Sequence, residues 1–341
     1  MPISFPVNPR RPGLEPSLVL NVRSAYGLYY FAQSLSKSDW KRYALAMIRT
    51  LVYSPAPANS QLDLFPAIMF SSNRGISCVE GTRAFLLSHY YGLYDTAQGA
   101  YWLLRFFRDF QEIPEILPRV DSIVKTLLSF QQVDGYFPSF VKIEGEQITI
   151  DPTLENRANC AAILMLLGEY YKTTLDASVI SPAKRLADFF IQNILPANRW
   201  HDFESFYSCT HFPLDFYDNI SQNPVNNTLC IYWATEGLKG LYEATGEGKY
   251  LAAGITVLQE FSFYQQVWSP PFLAADLFGG FGVQNADAEW SDARQALFVS
   301  TYAEYYLLTR EPQWMERAIA ALIKGEFCPC NDSQESYSCP R

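Results

Sequence analysis

Apolar residues recur at i, i+3, i+4 and i+7 along almost the whole chain, the spacing that lays one face of an α-helix against a core. Eleven segments carry it: residues 18–35, 40–52, 79–93, 97–110, 116–130, 156–171, 183–194, 229–244, 250–263, 292–308 and 314–323. Alternation of period two occurs only in Phe140-Val-Lys-Ile-Glu-Gly-Glu-Gln-Ile-Thr-Ile150. Its two halves flank a Glu-Gly turn, which predicts one small β-hairpin beside a helical body.

The connections come in two sizes that mostly alternate. Tight turns are expected at 36–38, 95–96, 245–248 and 309–312, and long loops at 54–75, 132–154, 196–228 and 265–290. Structureless loops beyond about 15 residues are uncommon in compact domains unless they serve a function. Alternating short and long connections between antiparallel helices put every long loop on one face, and a site is expected there.

The chain also repeats itself. Tyr242-x-x-Thr245-x-x-x-x-Tyr250-Leu251 is echoed 64 residues later by Tyr306-x-x-Thr309-x-x-x-x-Trp314-Met315, and Phe130-Gln131-Gln132-Val133 is echoed 134 residues later by Tyr264-Gln265-Gln266-Val267. The repeating unit is a helical hairpin of about 65 residues.

These segments resemble a known family. The helix end Gln131-x-x-Asp134-Gly135-Tyr136 is similar to the Gln-x-x-Asp-Gly-aromatic signature that closes an outer helix in α/α toroids. Tyr242-Glu-Ala-Thr-Gly-Glu-Gly-Lys-Tyr-Leu251 is similar to the turn joining an inner helix to an outer one. Both recur in six-hairpin glycosidases, unsaturated uronyl hydrolases and sugar 2-epimerases; the first is also found in terpenoid cyclases and prenyltransferase β-subunits. The resemblance implies an all-α (α/α)6 toroid, a barrel of helical hairpins, over residues 18–325. Residues 1–17 are then an N-terminal extension and 326–341 a polar, Cys-bearing tail.

Composition narrows the partners. The 341 residues are 49% hydrophobic, 16% aromatic and only 18% charged, with a net charge of −9, so a sizeable core is expected and disorder is excluded for nearly all of the chain. No basic run is present to neutralise a phosphate backbone, which argues against nucleic acid. No stretch of 18 apolar residues occurs, which argues against a membrane span. Residues 1–13 carry Arg10 and Arg11 with no apolar stretch behind them, so no secretory signal is read and the cytoplasm is favoured. Seven cysteines are spread thinly until Cys328, Cys330 and Cys339 in the tail, an odd count that does not read as a disulfide framework. Those three lack a fourth soft ligand and a nearby histidine. His89, His201 and His211 lack metal-ligand spacing as well, so neither a metal nor a cofactor is expected.

Candidate chemistry lies on the expected long-loop face. Asp287, Glu289 and Asp292 fall within six residues at a loop-to-helix junction, beside Trp290 and Arg294 and after a glycine run at 279–282. Carboxylates in different environments acquire different pKa values, as general acid/base work requires; a helix cap is the plainer reading. Trp200, His201, Asp202 and Glu204 form a second cluster, with the two acids on one side of an extended segment. Glu155 with Arg157, and Glu80 with Arg83, precede or open inner helices, while Tyr136 and Trp268 add aromatic surface. Aromatic rings stack on sugar faces and equally stabilise carbocations.

The resemblance, with these residues, leads to a glycoside hydrolase using paired carboxylates in an aromatic-lined funnel, with Asp287, Glu289, Asp292, Asp202 and Glu204 as candidate catalytic acids. Trp290, Arg294, Trp200, His201, Tyr136, Trp268, Arg157, Glu155, Arg83 and Glu80 are the substrate-binding candidates, the arginines suiting a uronate carboxylate. A small molecule or oligosaccharide is the expected partner. The alternatives are a terpenoid cyclase, in which an acid of the Asp287 cluster protonates an alkene, a sugar epimerase, which would need paired histidines where this chain has three scattered ones, and a non-catalytic toroid binding a glycan or protein.

Overall fold

The computed structural model describes residues 18–57, 61–66, 68–72, 75–79, 89–150, 157–203, 216–219, 222–272, 276–286, 292 and 294–325. Ten α-helices are found among them, paired in sequence as five antiparallel hairpins. These are α1 (Leu18–Ser34) with α2 (Ser38–Val52), α3 (Leu93–Phe110) with α4 (Ile116–Leu128), and α5 (Ala161–Thr174) with α6 (Ile180–Phe189). They continue with α7 (Thr228–Thr245) and α8 (Gly248–Ser262), then α9 (Gln295–Thr309) and α10 (Pro312–Gly325). A π-helical turn, Phe190–Ile194, extends α6.

The odd-numbered helices form an inner layer in which α1 packs on α3, α3 on α5, α5 on α7 and α7 on α9. Their sequences explain it. In α5 every residue from Ala161 to Tyr170 is buried, and in α7 every residue from Thr228 to Lys239, as a nearly all-round apolar helix requires. The even-numbered helices bury a single stripe, for example Ala44, Ile48 and Leu51 in α2 or Ile116, Val120, Ile123 and Leu127 in α4. Glycines set the closest contact: a Cβ added at Gly237 of α7 would lie 2.7 Å from Leu164 Cγ and 2.8 Å from the Met165 amide nitrogen of α5. The two backbones meet there with no room for a side chain.

Short turns close the hairpins at one end. Gln111, Leu175, Gly246 and Arg310 adopt left-handed φ of 54–70° after α3, α5, α7 and α9, each donating its N–H to the carbonyl four residues back. A threonine marks three of these ends: Thr174, Thr245 and Thr309 each donate to the carbonyl four residues before and accept the N–H two residues after. The Tyr-x-x-Thr repeat therefore has a third copy, Tyr171-x-x-Thr174.

The outer layer has its own repeated fastening. The Gln131 side-chain amide donates to Gly135 O and to Pro182 O of α6 and accepts from Arg185. The Gln265 amide donates to Gly279 O and to Arg317 O of α10 and accepts from Arg317 at 3.0 Å. Each glutamine ends one outer helix and clips it to the next.

The helix expected at 79–93 is not formed as such. Val79 ends β2 (Gly75–Val79), which pairs antiparallel with β1 (Ile68–Ser72), and Tyr90–Gly92 is β3; residues 80–88 lie outside the described ones. The tight turn expected at 95–96 is instead the first turn of α3, so the second hairpin is α3/α4, closed at 111–115. Extended backbone is correspondingly broader than one hairpin. The predicted hairpin, β4 (Phe140–Glu144) with β5 (Gln147–Thr149), is present and also pairs with β3, and a short pair joins β6 (Tyr217–Asp218) to β7 (Asn223–Pro224). No helix among the described residues is long and apolar enough to cross a membrane.

Candidate active site

The long connections all lead from an outer helix into the next inner one, so the N-termini of α3, α5, α7 and α9 share a rim. Hydrogen bonds lace the loops of this rim together. Leu93 N–H donates to Ser139 O at 3.0 Å as β3 meets β4, and the Cys230 thiol of α7 reaches Ala158 O, in the 3₁₀ turn Arg157–Cys160 before α5, at 3.3 Å. Asn226 Oδ1 accepts the Trp200 N–H at 2.8 Å and Asn227 Oδ1 that of Asp202 at 3.2 Å, while the Asn227 amide donates to Gln284 Oε1 at 3.1 Å. Thr228 N–H then donates to Val283 O at 2.9 Å and Phe281 N–H to Gln295 Oε1 at 3.0 Å. Buried backbone of irregular loops must find partners, and here two adjacent asparagines supply them.

This lacing buries two carboxylates. Asp202, fully buried, has its carboxylate near the Cys230 thiol in the first turn of α7, where it joins desolvation in pushing the thiol well above its ordinary range. Asp95, also buried, stands in the first turn of α3. A helix N-terminus favours negative charge in that position. Beside them the rings of Tyr94, Phe140, Phe203 and Trp233 form one aromatic cluster. Tyr94 and Phe140 have centroids 5.5 Å apart, Phe140 and Phe203 5.0 Å, Tyr94 and Phe203 6.5 Å, and Tyr94 and Trp233 6.2 Å.

The sequence candidates are distributed unevenly. Asp202 and His201 are buried in the rim; Glu204, Glu155, Glu80, Arg83, Asp287, Glu289 and Trp290 lie outside the described residues. Burial, together with the nearby Arg199, pushes the His201 imidazole down to about 3, so it is neutral at physiological pH. Asp292 is engaged locally: its Oδ1 accepts the Arg294 N–H at 2.7 Å and Nε at 2.8 Å just before α9. Burial raises the Asp292 carboxyl, but the hydrogen bonds and charge of Arg294 outweigh it and hold the group below the usual carboxylate range. Trp200 is fully buried, with its indole N–H donated to Glu260 at 2.6 Å and its ring stacked 6.1 Å from Phe190. It anchors the loop to α8 and to the π turn. Arg157 is exposed, with its guanidinium 4.5 Å from the half-buried Tyr136 ring, and Trp268 is exposed.

Asp95, Asn227 and Gln284 were not picked out by sequence reasoning. Asp95 was hidden by its assignment to a turn; the signal that exposes it is the apolar run from Leu93, which starts the inner helix before the acid. No group of three His, Cys, Asp or Glu side chains among the described residues is placed to hold a metal ion.

Inner helices α3, α5, α7 and α9 starting from long loops, paired outer helices and a polar rim over the inner N-termini give the chain the fold of an (α/α)6 toroid, with five hairpins among the described residues. Three solved structures of that architecture are similar to this chain. One is a cellobiose 2-epimerase from Spirochaeta thermophila, at 15% identity and a TM-score of 0.61, covering 92% of this chain and 74% of that one. A GH76 α-mannanase from Bacteroides thetaiotaomicron matches at 13% identity and 0.56, covering 89% and 72%. An unsaturated glucuronyl hydrolase from Bacillus sp. GL1 matches at 13% and 0.51, covering 73% and 62%. These identities carry the fold. No protein-family model and no curated protein matches the sequence.

Proposed function

We propose that this protein is a carbohydrate-active enzyme that hydrolyses a glycosidic bond at the inner-helix rim, with Asp95 and Asp202 as its acid pair. The observation that carries the reading is the burial of two carboxylates, Asp95 in the first turn of α3 and Asp202 on the loop beside Cys230 of α7, bridged by the contact between the neighbouring rings Tyr94 and Phe203. Glycoside hydrolysis needs one carboxyl to protonate the leaving oxygen and a second to act at the anomeric carbon as base or nucleophile. Aromatic surface beside them suits the apolar face of a sugar ring. The similar structures act in the same chemical field, as an epimerase, a mannanase and a glucuronyl hydrolase.

Asp287, Glu289 and Glu204 belong in the same variant series as candidates for the second acid. Asp292 is a weaker candidate, because Arg294 already occupies it. An epimerase working through a histidine base gains no support from His201, whose burial keeps the ring from taking a proton near neutral pH.

The test is turnover of aryl and natural glycosides of gluco, manno and glucurono configuration, followed by NMR of the anomeric products, for wild type and for Asp95→Asn and Asp202→Asn. Each variant is expected to lose at least about 100-fold in kcat with its fold retained. An aryl glycoside with a good leaving group restores turnover only where the general acid was removed. Full activity in both variants, or a 2-epimer in place of a hydrolysis product, overturns the reading.

A further inference from the structure

The two glutamine clips of the outer layer make the same hydrogen bonds across very different lengths of chain. In the first, Gly135 N–H donates to Gln132 O at 2.9 Å and Gln132 N–H to Tyr136 O at 2.8 Å. In the second, Gly279 N–H donates to Gln266 O and Gln266 N–H to Gly280 O, both at 2.8 Å. Only Val133 and Asp134 separate Gln132 from Gly135, whereas residues 267–278 separate Gln266 from Gly279. A link of two residues is enough to fasten one outer helix to the next, so the fold does not call for the longer one. Connections longer than the fold requires are where binding residues concentrate.

This longer link holds aromatic rings in solvent. Ser269 Oγ donates to Asp276 and accepts the N–H groups of Leu277 at 2.9 Å and Phe278 at 3.0 Å, while Asp276 Oδ1 accepts the Phe278 N–H at 3.1 Å. These bonds close the base of the link, and Pro270 and Pro271 fix two further backbone angles. Trp268 and Phe278, on the two sides of that base, are 52% and 49% exposed, and Phe272 is 73% exposed. Val133 is exposed in the first clip as Val267 is in the second, so that feature belongs to the clip; the rings belong to the insertion alone. Apolar rings held in water by a closed, stiffened backbone mark a binding surface whose ordering cost is met before the ligand arrives.

Charge and position indicate the ligand. Residues 261–293 contain no Lys, Arg or His, although Asp276, Asp287, Glu289 and Asp292 fall among them. Arg317, which meets the start of this segment, is spent on Gln265 Oε1 at 3.0 Å and on Ser262 O. A phosphate or carboxylate chain finds no fork of donors in such a segment. The insertion also runs straight into the rim: Phe281 N–H donates to Gln295 Oε1, and Gln284 is paired with Asn227, which holds the Asp202 backbone. From Phe278 to Gln284 the chain can span at most about 20 Å, so the rings lie within reach of an oligomer whose end is held at the rim. Aromatic rings offer an uncharged oligosaccharide the apolar surface its ring faces need.

We propose that Trp268 and Phe278 form an accessory stacking platform for a neutral glycan chain, so that the substrate is an oligosaccharide or polysaccharide rather than a disaccharide. The inference rests on the sugar reading above and adds chain length to it.

The experiment is calorimetric titration of the full chain with neutral manno- and cello-oligosaccharides of two to six residues and with oligogalacturonates of the same lengths. Wild type is compared with Trp268→Ala, Phe278→Ala and a variant in which residues 267–278 are replaced by Val-Asp, the link of the first clip, and each is checked by thermal melting and sedimentation. Wild type is expected to bind a neutral hexasaccharide about tenfold or more tightly than the matching disaccharide. Each variant is expected to lose about fivefold or more of that ratio, a loss the size of one aromatic stacking contact. Equal affinity for both lengths in wild type, a full length dependence retained in Trp268→Ala and Phe278→Ala, or tighter binding of the oligogalacturonates overturns this inference and leaves the hydrolase reading standing. A dimer of wild type that Trp268→Ala dissociates also overturns it, by assigning the rings to a second copy of the chain. Binding of no sugar at any length overturns both readings. Should the shortened variant fail to fold, the two alanine variants decide the matter.

Discussion

Asp95 and Asp202 meet through their neighbours: the ring of Tyr94, next to Asp95, lies 6.5 Å from the ring of Phe203, next to Asp202. Neither acid is near the other in sequence, so this contact and the Phe140 ring that touches both partners set the position of the Asp202 loop against α3. Phe203→Leu keeps most of the volume and is expected to cost less than about 1.5 kcal/mol in denaturant unfolding, whereas Phe203→Ala costs about 3–5 kcal/mol. Both are expected to lower kcat by tenfold or more with a smaller change in KM, because a displaced acid spoils alignment rather than binding. Unchanged kcat in Phe203→Ala would separate the aromatic cluster from the chemistry.

Protonation of His201 gives stability a pH dependence with a defined sign. Burial and Arg199 depress its folded pKa to about 3, below the ordinary imidazole value of 6.5, so the unfolded chain binds the proton more readily. The folded state is therefore favoured above pH 6.5 and loses that advantage as pH falls toward 3. Melting followed from pH 7 to pH 4 is expected to decline more steeply for wild type than for His201→Gln, which cannot take the proton. Parallel curves would show that the imidazole stays solvated.

A buried ion network fills the inner layer below the rim. Glu236 of α7 accepts from Lys239 at 2.7 Å and from the Thr301 hydroxyl of α9 at 2.7 Å, and Lys239 also pairs with Glu304. Burial works against the Glu236 charge, but the ammonium and hydroxyl outweigh it and hold the carboxyl below its usual range. Lys239→Met removes the partner and strands a buried carboxylate, so unfolding is expected to become easier by about 3–5 kcal/mol. The double variant Glu236→Leu/Lys239→Met is expected to recover much of the loss, a coupling that a double-mutant cycle measures directly.

Much of this architecture was legible in the chain, because the repeats are made of hydrogen bonds that particular residues must make. Thr245 and Thr309 bond backbone groups on both sides of a turn, and Gln131 and Gln265 clip neighbouring outer helices; the sequence echoes at these positions are the same physical devices used again. The third threonine, Thr174, does not stand out in the sequence because Val179 lies five residues after it, where Tyr250 and Trp314 follow Thr245 and Thr309 and complete the pattern. The site was harder to read. Trp200 and Asp292 stood in polar, aromatic-rich stretches that suggested chemistry, yet one anchors a loop on Glu260 and the other folds a turn with Arg294. Asp95 gave no composition signal, because its role follows from which helices are inner, a property of the assembled ring.

Equivalence of the two glutamine clips makes a last prediction about their glycines. Gly279, at φ +85°, receives the Gln265 amide on its carbonyl, and a Cβ there would stand 2.2 Å from Ala320 O of α10. Gly135, at φ +94°, does the same for Gln131, with the added Cβ 2.6 Å from Arg185 O of α6. Each site combines a backbone conformation that favours glycine with contact against a carbonyl that helix packing holds in place, so neither strain has a cheap relaxation. Gly279→Ala and Gly135→Ala are each expected to destabilise by about 2–4 kcal/mol in denaturant unfolding. Gly248→Ala is the internal control: it opens α8 with no atom within 4 Å of the added Cβ and an ordinary φ, and is expected to change stability by less than about 1 kcal/mol, toward greater stability. Equal effects at all three positions would mean that the clips do not hold the outer layer together.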